Sequence, residues 1–190
     1  MKSAQKLLDA MKSGKVYRRQ DLQGRSTSVD RDLKTLVEMG EVQKLSGGLY
    51  YRPRKNAFGD TPADDKELVR AFLKTEDFLL TSYSYFNRLG LGLTQVYSHY
   101  VVYNHKRTGE FALAGKRFEF RVMPGFPRKL SKEYLLVDLL NNLKRLPDDT
   151  RRVFDSLKAR SAEFDGKRVR VLASRYGRPR TKKMLNEVYA

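Results

Sequence analysis

The chain has 190 residues, 39 of them Lys or Arg against 22 Asp or Glu, for a formal net charge of +17. With no cysteine and only two histidines, His99 and His105, it excludes disulfides, thiolate zinc sites, iron–sulfur clusters and cysteine nucleophiles, and it offers no basis for a metal or other cofactor. Hydrophobic residues make up 40% of it, enough for one compact domain or two small ones, yet no apolar run nears the roughly 18–20 residues of a membrane span and the N-terminus lacks a leader's apolar stretch. These properties predict a soluble, cytoplasmic protein that attracts polyanions, nucleic acid first, with an acidic protein partner or plain solubility as the other uses of such a field.

Ser3 is a candidate N-cap, and Ala4, Leu7, Leu8 and Met11 follow at helical spacing until Gly14. Tyr17 to Leu22 reads as a short second helix stopped by Gly24. Ser26, Thr27 and Ser28 then offer caps for a third helix, whose apolar face is Val29, Leu33, Leu36 and Val37 and which ends before Gly40. Glu41 to Leu45 reads as a strand, Ser46-Gly47-Gly48 as a tight turn and Leu49 to Tyr51 as the returning strand. Three helices and a hairpin make residues 1–55 a winged helix-turn-helix domain. Residues 56–65, which continue a stretch with two prolines and no apolar periodicity, read as a linker.

Residues 66–190 read as a mixed α/β domain with a small antiparallel sheet and several C-terminal helices. Lys66–Leu73 is a short amphipathic helix, Phe78–Leu80 a brief strand, and Tyr83–Leu89 a helix closed by Gly90 and Gly92. Runs at His99–His105, Glu110–Leu113 and Arg117–Arg121 are predicted strands joined by turns at 106–109 and Ala114-Gly115. Ser131 opens a strong helix through Leu146, and two or three more follow, near 150–162, 166–176 and 179–189. Tyr83, Tyr85, Phe86, Tyr97, Tyr100 and Tyr103 read as core. The whole is of the α+β class.

A B-DNA major groove admits one helix, and the preceding helix braces it. The third helix is the recognition candidate. Its outer face carries Arg31 and Lys34, donors long enough for guanine edges or phosphates, with Thr35 beside them. Thr27 and Ser28 stand at its N-terminus, where free backbone N–H groups favour phosphate. Arg18, Arg19 and Arg25 flank the turn as phosphate contacts. Ser46 and Gly47 form the wing tip, with Lys44, Arg52, Arg54 and Lys55 adding charge beside it. Asp30 and Asp32 weaken the patch. Charge is concentrated at the ends: residues 1–58 carry +7 and 151–190 carry +8, leaving +2 between. Arg175, Arg178, Arg180, Lys182 and Lys183 form a second basic patch around the Tyr176–Pro179 turn, suited to nucleic acid or an acidic protein face. No phosphate-binding loop, serine elbow or zinc-protease motif occurs, Gly90-Leu91-Gly92 does not follow a strand, and His105 has no carboxylate or serine in a supporting role. These absences predict a protein that is not an enzyme.

The winged module followed by Thr75-Glu76-Asp77-Phe78-Leu79-Leu80-Thr81-Ser82, then Gly90–Gln95, then Val101–Phe111, resembles the AbiEi-type antitoxins, and Phe126–Leu130 and Leu135–Leu143 fit the same layout. The resemblance implies a winged helix that represses its own operon at inverted repeats. It also implies a C-terminal domain that counteracts, or co-represses with, a nucleotidyltransferase-type toxin encoded beside it. It carries the recognition and wing positions onto Thr27, Ser28, Arg31, Lys34 and Ser46–Gly48, and implies a homodimer or paired monomers on double-stranded DNA. A protein-interaction module that holds an enzyme partner, or a winged-helix regulator without a toxin, are the other readings.

Overall fold

The computed structural model describes residues 2–189 and is α+β, with antiparallel strand pairing. Two compact units make it up. The first runs through Glu76 and takes in Glu110–Phe118; the second comprises Asp77–Gly109 and the chain from Glu119 onward. Among the described residues no helix is long and apolar enough to cross a membrane.

The first unit begins with α1 (Lys2–Ala10), β1 (Lys15–Arg18), α2 (Arg19–Leu22), a 3-10 turn at Gln23–Arg25 and α3 (Val29–Glu38); β2 (Gln43–Ser46) and β3 (Leu49–Arg52) follow. Leu7 and Leu8 of α1, and Met11 just after it, pack against Leu22, Val29, Leu33, Leu36 and Val42 in one core. The helical period thus foretold α1 and α3. The predicted helix at Tyr17–Leu22 is corrected: it starts only at Arg19, because residues 15–18 are drawn into a sheet of order β1-β3-β2. Val16 is buried opposite Tyr51, and Lys15 pairs with Arg52. A β-branched and an aromatic residue side by side suit that pleated surface better than a helix. Gly14 makes the entry turn at φ +79°, its N–H donating to the Arg52 carbonyl over 2.7 Å. Ser3 is not a cap either; it lies inside α1 and its hydroxyl donates to Asp32 over 2.6 Å.

The stretch 56–65 holds part of a short hairpin, β4 (Lys55–Asn56) and β5 (Gly59–Asp60), and leads into α4 (Asp65–Leu73) within the same unit. Asp64 caps α4 by accepting from the N–H groups of Lys66 and Glu67. The helix packs on β1 and closes with Lys74 in the left-handed region.

In the second unit β6 (Phe78–Thr81) pairs antiparallel with β7 (His99–Asn104), with Leu79 opposite Tyr103. The helix predicted over Tyr83–Leu89 is present and is of the 3-10 type, closed by Gly90. The sheet order is β6-β7-β9-β8; β8 (Gly109–Leu113) belongs to the first unit apart from Gly109, and β9 (Lys116–Val122) starts in the first unit and ends in the second. α5 (Lys132–Asn142) is buried from Tyr134 to Leu140, apolar nearly all round as a central helix must be. Ser131 caps it, accepting from the Tyr134 N–H over 3.1 Å. The helix tightens into a 3-10 turn at Leu143–Arg145, ahead of the predicted end. α6 (Thr150–Ala159), α7 (Gly166–Tyr176) and α8 (Pro179–Val188) lie close to their predicted spans and share the core with α5.

Candidate nucleic-acid interface

α3 turns Val29, Asp32, Leu33 and Leu36 inward and leaves Asp30, Arg31 and Lys34 exposed. Asp32 sits on the apolar stripe, three residues after Val29 and four before Leu36. It accepts the Ser3 and Ser26 hydroxyls, each over 2.6 Å, and Ser26 in turn accepts the Ser28 N–H over 2.9 Å. Those hydroxyls, Ser26 first, hold the Asp32 carboxyl below its ordinary range. One buried carboxylate thereby ties α1, the turn and the start of α3 together. It is a structural group rather than a weakness in the basic patch.

Asp30 is accounted for differently. Arg19 clasps it with Nε and Nη2 over 2.7 and 2.6 Å, and this hydrogen-bonded pair pushes the Asp30 carboxyl down. The Arg19 N–H donates to the Gly48 carbonyl over 2.8 Å. Arg19 therefore links the β2–β3 turn, where Gly48 has φ +73°, to the first turn of α3. Around it opens a depression walled by Gln23, Ser26, Thr27, Ser28 and Arg31. Arg31 is exposed, and among the described residues its guanidinium makes no hydrogen bond or ion pair. Lys34 is 78% exposed and stands 3.9 Å from Glu38, itself exposed, and a pair so open to water is worth little. Thr35 donates back to the Arg31 carbonyl over 3.0 Å and is only half-exposed.

The remaining predicted contacts separate. Lys44 and Gly47 are exposed, and a Cβ built at Gly47 meets nothing within 4 Å. Ser46 is half-buried. Arg52, by contrast, donates Nη1 to the carbonyls of Leu8 and Met11 over 2.7 and 2.6 Å, closing the C-terminal end of α1. Arg54 lies across Gly14. Arg18 pairs with Asp21 over 2.6 Å and Arg25 donates to the Ala10 carbonyl over 2.6 Å; both line a different concavity, beside α4. Of the thirteen residues predicted for one surface, those that meet at the start of α3 are Arg19, Thr27, Ser28 and Arg31. Sequence reasoning named Ser26 only as a candidate cap and Asp32 only as a charge weakening the patch, and missed that they are joined, although the position of Asp32 on the apolar stripe of α3 marks it as inward-facing.

In the second unit Arg175, Arg180 and Lys183 are exposed, and Lys182 donates Nζ to the Ser174 carbonyl over 2.9 Å. The Arg178 N–H donates to Asn141 Oδ1, which also accepts the Thr181 hydroxyl, so α5 fixes the turn that carries the patch. Deeper inside, the Tyr103 hydroxyl donates to Asp138 over 2.7 Å and Asn142 bridges Asp138, Tyr103, Tyr83 and Arg121. His105 stacks on Phe126 at 4.7 Å and stands 3.6 Å from Asp77, on the surface. Among the described residues no group of three or more His, Asp or Glu side chains is placed to hold a metal ion.

No family model matches the sequence, and no curated protein does. A solved structure is similar in fold: the RV2827C protein from Mycobacterium tuberculosis, at a TM-score of 0.60 and 17% identity over 100% of this chain and 76% of that one.

Proposed function

We propose that the chain is a sequence-specific DNA-binding repressor of the AbiEi antitoxin kind, with residues 1–55 acting as a winged helix-turn-helix. α3 enters the major groove and the Ser46–Gly48 turn lies on the adjacent backbone. The observation that carries this reading is the face of α3 itself. Arg31 and Lys34 project from a helix whose two nearby acids are already engaged, Asp30 by Arg19 and Asp32 by two serines. The start of that helix carries Thr27 and Ser28 beside the wing turn, the setting in which backbone N–H groups and the helix dipole favour a phosphate. Counteracting a nucleotidyltransferase-type toxin belongs to the same reading and rests on the family layout alone.

The test is selection of binding sites from a random duplex pool with the full chain. Enrichment of an inverted repeat, with half-sites about one helical turn apart, supports a repressor. Arg31→Ala should weaken the selected site far more than random duplex, by about 1–3 kcal/mol if it makes a bidentate base contact. Equal loss on both reduces Arg31 to a phosphate contact, and a pool that never enriches refutes sequence-specific binding.

A further inference from the structure

The first unit has a second concavity, lined by six cations from four separate segments. Lys12 comes from the α1–β1 connection, Lys15 and Arg18 from β1, Arg25 from the 3-10 turn, and Arg70 and Lys74 from α4 and its end. Two acids, Asp21 and Glu76, share its walls. Glu67 holds Lys15 and Arg70 over 3.0 and 2.9 Å, which fixes both heads in place while leaving each with further donors. The Lys12 ammonium has no hydrogen bond or ion pair among the described residues; its backbone N–H donates to the Tyr17 hydroxyl over 2.6 Å. Apart from Val16, Tyr17 and Ala71 the lining is polar, and Tyr17 is packed against the core. Such walls suit phosphate and offer no slot for a nucleobase.

The concavity also continues the α3 site along the chain. Arg18 lines one and Arg19 the other; Arg25 lines one and Ser26 the other. The segment 18–26 thus has a face in each.

We propose that this groove seats the sugar–phosphate backbone of the duplex flanking the segment read by α3, with Lys12, Arg70 and Lys74 as phosphate contacts. The proposal rests on the DNA-binding reading and extends its footprint onto α4. Each phosphate neutralised by a cation releases condensed counterions and steepens the fall of log K with log salt by about 0.9.

The experiment uses the full chain and a fluorescein-labelled mixed-sequence duplex of about 30 base pairs, followed by anisotropy between about 50 and 200 mM KCl. The groove variant is Lys12→Gln with Lys74→Asn, since Lys74 has φ +58° and asparagine tolerates that region. Its salt slope should be shallower than wild type by about 1.8, two phosphates' worth. The single variant Lys12→Glu, at an exposed position, should by itself flatten the slope by about 0.9 or more, independently of any change in α4. Arg31→Ala with Lys34→Ala serves as the reference. If the reference variant weakens binding while both groove variants keep the wild-type slope, the groove proposal is overturned and the DNA reading stands. If the wild-type chain binds no duplex, both fall. Inorganic tripolyphosphate separates the other source of the same chemistry. Loss of its binding in the groove variant, with the duplex slope unchanged, makes a free polyphosphate the ligand and overturns the backbone assignment.

Discussion

The Asp138 carboxyl is buried inside the second unit, and burial pushes it up from 3.8 to about 6. Tyr103 and Asn142 donate to its Oδ1 over 2.7 and 2.9 Å, and Arg121 and Arg178 also favour the charged form, but these do not offset the desolvation. Among the described residues Oδ2 has no hydrogen-bond partner. A group whose folded pKa lies above its unfolded value binds its proton more tightly in the folded state. Its stabilising contribution is complete below the unfolded pKa and is lost as pH rises through the folded one. The window is therefore about pH 4 to 6, and a shift of roughly two pH units corresponds to about 3 kcal/mol. Asp138→Asn is neutral at every pH and has almost the same shape. The expected result is that the wild-type unfolding free energy, less that of Asp138→Asn, falls by about 2.4 kcal/mol between pH 4 and 7, the rest of the change lying outside that range. Urea unfolding followed by tyrosine fluorescence measures it. The chain has eleven tyrosines and no tryptophan, and Tyr83, Tyr103 and Tyr134 sit in the core around Asp138. Other titrating groups cancel in the difference. A difference that stays flat refutes the reasoning, and one that rises with pH shows that the hydrogen bonds from Tyr103 and Asn142 outweigh burial.

Three further outcomes follow from the geometry. Arg52→Ala leaves the carbonyls of Leu8 and Met11 without their guanidinium, so urea unfolding should show a loss of about 1–3 kcal/mol, whereas Arg31→Ala should stay within about 0.5 kcal/mol. Ala114 and Gly115 both have positive φ, 51° and 74°, in the β8–β9 turn; Ala114→Asn should stabilise the chain by up to about 1 kcal/mol, and a lower urea midpoint argues against strain there. Asp30→Asn removes a negative charge from the α3 face and loosens Arg19, so duplex affinity should rise at low salt; an unchanged affinity indicates that Arg19 and Asp30 stay clear of the phosphates.

What the sequence disclosed depended on how local the cause was. Helical spacing located α1 and α3, Ser131 marked the start of α5, and Ser46-Gly47-Gly48 located a turn, because each signal lies within a dozen residues. β1 was hidden because its partner is remote: Lys15 pairs with Arg52, and only that pairing makes four residues a strand. The same cause hid the membership of α4, which rests on β1 and so extends the first unit through Glu76, beyond the stretch that reads as a linker. For the candidate site, residue type was legible and allegiance was not. Arg19 and Arg52 look alike in the sequence, yet one faces the start of α3 and the other closes the end of α1.

That distinction recasts the charge. A net +17 sets the range of the field, but recognition depends on which cations keep donors free. In the first unit Arg18, Arg19, Arg70, Lys15 and Lys55 are each tied to a carboxylate, and Arg25 and Arg52 to backbone carbonyls. These pairs hold their heads in fixed places, which lowers the ordering cost when a polyanion takes up the remaining donors. Arg31 and Lys34, by contrast, are long, exposed and loosely held. A base edge has to be searched for among sequences, whereas a phosphate recurs at a constant spacing. Pre-set cations therefore suit backbone contact and adjustable ones suit reading: in the groove beside α4 Lys15, Arg18, Arg25 and Arg70 are pre-set and Lys12 is the loose exception, whereas on the face of α3 both Arg31 and Lys34 are adjustable.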